Sequence, residues 1–154
     1  MQLEAGAYGL HLSPLHVSLL RDGELGLPLG GCLALLQGYA GALAHEVRIA
    51  RMSGDDRSVV RSIRSGAIRY VRSDPDETWQ TWARTVQAGG DCEDLAAAVA
   101  AELRVDGIPD GPYAGRPVRA RPVVYRARPG LLHVVVDAPW GIIDPSRLAG
   151  MGLP

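Results

Sequence analysis

In the run Gly89-Gly90-Asp91-Cys92-Glu93-Asp94 a glycine-rich loop becomes an alanine-rich helix, and this junction constrains the fold more than any other part of the chain. Asp91 is placed to act as N-cap, and Asp94 three residues later completes an approximate capping box. Leu95, Val99 and Leu103 then recur at i, i+4 and i+8, flanked by small alanines that let a neighbouring element pack closely. A thiol at such a helix start feels about half a positive charge from the aligned peptide dipoles, which favours the thiolate. Cys92 is therefore a candidate nucleophile. Asp91, Glu93 and Asp94 act in the opposite sense, because negative charge beside a thiol raises its pKa.

Partners for a nucleophile occur in one place downstream. Leu131-Leu132-His133-Val134-Val135-Val136-Asp137 is followed by Ala138-Pro139-Trp140-Gly141 and then by Ile142-Ile143-Asp144-Pro145. Two β-branched runs parted by Pro and Gly predict a hairpin. Pro139 suits the second turn position and Gly141 the fourth, which sets Ala138 opposite Gly141 and Val135 opposite Asp144. His133 shares a face with Val135, so Asp144 lies diagonally from it and within reach. A tighter register would pair His133 with Asp144 directly, and only a one-residue slip would part them. The predicted constellation is Cys92 as nucleophile, His133 as base and Asp144 orienting the imidazole. The chain contains no Asn, so a Cys-His-Asn arrangement is excluded and the third member must be an acid. It contains no Lys or Phe either, and all sixteen basic residues are Arg.

Gly-Asp-Cys-Glu-Asp opening a helix, then Gly107-Ile108-Pro109, then His133 on one strand and Asp144-Pro145 after the next, resembles the transglutaminase-like branch of the papain-type cysteine enzymes. It is similar in particular to small bacterial and phage-associated members, and the segment from Ile68 to Asp74 with Trp79 resembles the lead-in to their cysteine. The resemblance spans roughly residues 57 to 150. It implies a papain/transglutaminase-like core, with the nucleophile at a helix N-terminus packed on an antiparallel sheet. Two departures are visible: valines rather than an aromatic follow His133, and Asp110 to Pro117 form an insertion placed to shape or cover a cleft.

Acyl transfer also needs donors for the developing oxyanion. The backbone N–H of Cys92 is one, and the preceding linker offers Trp79, Gln80, Trp82 and Gln87, of which Gln87 is preferred. The chain has neither CxxC nor HxxxH spacing, so no metal site is expected. No cofactor is expected either. Cys32, within Cys32-Leu33-Ala34-Leu35-Leu36, is expected to pack rather than react, and a Cys32–Cys92 disulfide is not favoured. His11, His16 and His45 lack acidic or thiol contexts.

A length of 154 residues with 47% hydrophobic content fits one domain, with residues 1–50 an N-terminal extension and helix and residues 51–150 the catalytic core. The net charge of −1 calls for neither nucleic acid nor an anionic membrane. Leu25 to Ala44 is free of charge, but Pro28, Gln37 and five glycines dilute it, so a buried helix from about 31 to 50 is predicted rather than a membrane span. No basic leader precedes it, and a cytoplasmic location is expected, or a virion one if the chain is phage-encoded. Residues 1 to 30 are expected to be irregular or short extended segments, with a turn at Asp22-Gly23. A second helix is expected from an Asp55 or Asp56 cap to about Val71, with Val60, Ile63, Ala67 and Val71 buried and Arg57, Arg61, Arg64 and Arg72 on a solvated face. A short helix near Glu77 to Val86 and strands near 120–126, 131–137 and 141–144 complete an α+β fold. The expected activity is cysteine-dependent hydrolysis of an amide in a protein or peptide. A non-catalytic structural protein on the same fold, partnered with phage structural proteins, a cross-linking transglutaminase, and a processing enzyme for one partner peptide are the alternatives.

Overall fold

The computed structural model describes residues 4–6, 9–11, 29–72, 79–112, 114–129 and 131–152 of the chain. In order these form β1 (Glu4–Gly6), β2 (Gly9–His11), α1 (Leu29–Met52), α2 (Val59–Ser65), α3 (Trp82–Ala88), α4 (Cys92–Val105), β3 (Arg121–Arg128), β4 (Leu131–Ala138), β5 (Gly141–Ile143) and α5 (Pro145–Leu148). β3, β4 and β5 make an antiparallel sheet in that order, and β1 pairs with β2 in a separate ribbon. The fold is α+β. The Asp22-Gly23 turn and His16 lie outside the described residues.

The fold is built around α4. Every residue from Glu93 to Leu103 is buried, so the helix has no solvated face over that stretch and the expected stripe is only part of its packed surface. α1 packs along it, the sheet lies against it, and α2 and α5 cover what remains. Only a helix largely of alanine can be approached this closely from several directions. α1 contributes Leu36, Tyr39, Ala40, Leu43, Ala44 and Val47, an i, i+3, i+4 pattern, all buried. It belongs to the core. Among the described residues no helix is long and apolar enough to cross a membrane.

α2 departs from expectation. It is capped by Ser58, not by Asp55 or Asp56, and it ends at left-handed Gly66, well short of Val71. Ala67 and Val71 are exposed beyond it. The cause lies in α4. Buried Glu102 accepts hydrogen bonds from Ser58 Oγ (2.7 Å), Val59 N (2.6 Å) and Val60 N (3.1 Å), and from Trp82 Nε1 (2.7 Å). A carboxylate placed there fixes where the helix begins, while Asp55 is engaged with Arg57. Arg57, Arg61 and Arg64 are exposed, as expected of a solvated face, and Arg64 pairs with Asp110 of the insertion.

Past Gly66 the chain bends through Ala67 and Ile68, and Tyr70 forms a parallel bridge with Gly90. α3 starts later than expected, at Trp82, because Thr81 supplies its cap, accepting from Arg84 N at 3.1 Å. The hairpin has the expected register, with Ala138 opposite Gly141 and Val136 opposite Ile143. Asp144 falls one residue past β5, where it caps α5.

Candidate active site

The junction before α4 is set by two glycines with different tasks. Gly89 has φ +76°, and a Cβ there would strike the carbonyl oxygen of Arg69. At Gly90 a Cβ would lie 2.6 Å from Asp94 Cβ, so the Asp94 side chain fills the space a larger residue would need. Asp91 caps the helix, accepting from Asp94 N at 3.3 Å. The reciprocal half of the expected capping box is made as well, the Asp91 backbone N–H donating to the Asp94 carboxylate. Asp94 Oδ1 in addition accepts from Gln80 N at 3.0 Å and from Tyr39 Oη at 2.8 Å, which ties the cap to α1 and the linker.

Cys92 faces β4. The backbone amide of Val134, the residue after His133, points at its sulfur, and the thiol donates to Glu93 Oε2 at 3.0 Å. Burial pushes the thiol pKa well up, and the charges of Glu93 and then Asp91 push it further, against the small opposing pull of the Val134 amide. Asp91, Glu93 and Asp94 are themselves raised above the usual carboxylate range, first by burial and then, for Asp91, by the charges of Glu93 and Asp94 and, for Glu93, by that of Asp94.

His133 and Asp144 meet, with Nε2 3.0 Å from Asp144 Oδ2. His133 is buried and Asp144 is partly so. Tyr125, opposite His133 on β3, sets its ring edge-on to the imidazole at 5.6 Å between centroids. With Nε2 engaged by the carboxylate, Nδ1 is the nitrogen left for a reacting group. Asp144 Oδ1 also accepts from Arg147 N at 3.2 Å, so one side chain orients the histidine and caps α5.

Cys92 thus meets β4 at the Val134 amide, next in the chain to His133. His133 and Asp144 are hydrogen-bonded, whereas the thiol proton goes to Glu93 and not to His133. The preferred oxyanion side chain, Gln87, is exposed on α3, and no hydrogen bond joins it to Cys92. Trp82 is committed to Glu102, Trp79 stacks on Tyr39 at 4.4 Å, and the Gln80 side-chain oxygen is buried without a hydrogen-bond partner. The residue overlooked by sequence reasoning is Tyr70. Burial, followed by the charges of Cys92, Asp91 and Glu93, pushes its phenol up to about 12, so it stays a neutral donor beside the thiol. Its only sequence signal was its place in the segment leading to the cysteine; the bridge to Gly90 that brings it here is a tertiary pairing.

Among the described residues no group of three or more His, Cys, Asp or Glu could hold a metal ion. His11 lies in β2 and His45 is exposed on α1. Cys32 lies in α1, with its side chain outside the description. No protein-family model, curated protein or solved structure matches this chain.

Proposed function

We propose that this chain is a cysteine-dependent acyl-transfer enzyme on a papain/transglutaminase-like core, acting as a peptidase or amidase on a protein or peptide. The observation that carries this reading is the hydrogen bond at 3.0 Å between Asp144 and buried His133, the latter on the strand whose Val134 amide meets the Cys92 sulfur. In the proposed step the thiol proton passes to His133 Nδ1 as sulfur attacks the carbonyl carbon. The imidazolium that results is stabilised through Nε2–H by Asp144. The amide of Cys92, at the start of a helix and so without an intrahelical acceptor, faces the developing oxyanion together with the Tyr70 phenol. The leaving amine takes the proton back from His133, and water then hydrolyses the thioester. Hydrolysis is the default over transamidation because nothing in the site selects an amine.

A second reading, a structural protein that keeps the fold without turnover, is favoured by one observation: the thiol rests protonated against Glu93. The two are separated by measuring iodoacetamide alkylation of Cys92 at neutral pH in the wild type and in His133→Ala. General-base assistance predicts at least a tenfold slower reaction in the variant. Equal rates would mean that the histidine does not act on the thiol, and the enzymatic reading would fall.

A further inference from the structure

The acids around Cys92 form a connected chain rather than a cluster of independent charges. From the thiol the hydrogen bonds run to Glu93 (3.0 Å), from Glu93 to the Asp91 carboxyl, and from Asp91 to Asp94, which also meets Tyr39 (2.8 Å) and Gln80 N (3.0 Å). Ionised carboxylates only accept hydrogen bonds, so two carboxyl groups bonded to each other must hold a proton between them. All three acids are buried, and none forms a salt bridge with an arginine among the described residues. The other titratable group that the Cys92 charge acts on is Tyr70, from the segment after α2; His133 lies on β4 next to Val134, whose amide meets the sulfur, and Tyr39 of α1 closes the far end of the chain.

We propose that Glu93 is the resting partner of Cys92, a positioning residue that holds the sulfur as a thiol and away from His133 until its own charge is neutralised. This rests on Cys92 being the nucleophile. With Glu93 ionised, the S–H bond points at Oε2, and removing that proton would leave two negative charges about 3 Å apart. With a proton drawn from the acid chain onto Glu93, the same pair reverses: the carboxylic O–H donates to sulfur and supports the thiolate. The S–H proton then goes to His133 Nδ1, sulfur keeps the electron pair, and no other reactant is needed. Cys92 is thereby latent, and a substrate or partner that neutralises Glu93 releases it.

The test is the pH profile of Cys92 ionisation, followed by thiolate absorbance and by iodoacetamide rate in a Cys32→Ala background. Wild type is expected to titrate above an ordinary thiol, and Glu93→Gln, whose amide can donate to sulfur, at least one pH unit lower with about tenfold faster alkylation at pH 7. The acceleration should persist when His133→Ala is added, since the effect is electrostatic and needs no base. That arm separates this inference from the enzymatic reading, which His133→Ala alone decides. An unchanged or slower Glu93→Gln protein would overturn the inference. Should that variant fail to fold, a wild-type midpoint at or below about 8.5 would overturn it equally.

Discussion

Glu102 joins three helices through one carboxylate, and its replacement by Gln is the most discriminating perturbation of the fold. Oε1 accepts from Val59 N and Trp82 Nε1, and Oε2 from Ser58 Oγ and Val60 N. In Glu102→Gln one of these oxygens becomes an NH2 group. If the amide oxygen keeps Val59 and Trp82, the Ser58 hydroxyl can rotate to accept, but Val60 N then faces a donor. The variant therefore loses one hydrogen bond outright and the charge assistance in the other three. A hydrogen bond to a charged group contributes roughly 1.5–3 kcal/mol, and an orphaned buried N–H costs about 1–3 kcal/mol. Part of this is offset because a neutral amide is easier to bury than a carboxylate, so the net loss is about 2–4 kcal/mol. For a chain of this length that lowers Tm by roughly 5–15 °C. The assay is urea and thermal unfolding followed by circular dichroism and by tryptophan fluorescence, with Trp82 reporting locally. A loss below about 0.5 kcal/mol would refute the claim that this carboxylate sets the start of α2.

Asp144→Asn should separate the residue's two tasks: Asn caps helices as well as Asp, so Tm should stay within about 2 °C, while Cys92 alkylation falls toward the His133→Ala rate. A large loss of stability with undiminished reactivity would contradict that division. Burial pushes the Glu46 carboxyl up from its usual 4.5 to about 7, with the bond from Trp82 N pulling the other way, and the acids beside Cys92 are raised as well. Between the ordinary carboxylate range and about pH 7 the folded state then binds more protons than the unfolded chain, so stability is highest at the acid end and is lost as pH rises through 7. The urea midpoint should be higher at pH 5.5 than at pH 8, and the reverse order would mean these acids are paired rather than merely buried. Gly89→Ala should destabilise by more than 2 kcal/mol, since a positive φ and a collision with the Arg69 carbonyl act together; denaturation within about 0.5 kcal/mol of wild type would show that the junction can relax.

Local chemistry in the sequence determined a good deal. The start of α4 at Cys92, the hairpin register and the pairing of His133 with Asp144 each follow from residues within fifteen positions of one another, where capping, turn geometry and strand alternation operate. The α+β class follows from the order of those elements. What the sequence alone left undecided depends on side chains arriving from distant segments. Glu102 reads in isolation as one acid among alanines, yet it relocates the start of α2 by meeting Ser58, forty-four residues away. Asp94 reads as half of a capping box, and beyond that task it also meets Tyr39, fifty-five residues away. Tyr70 acquires a place beside the thiol through its bridge to Gly90, and buried Glu93 accepts the hydrogen bond of the thiol. Capping and alternation act over a turn or a strand pair and can be read along the chain. Burial and the partner of a buried charge are properties of the packed whole, and in this protein they set the Cys92 thiol against Glu93.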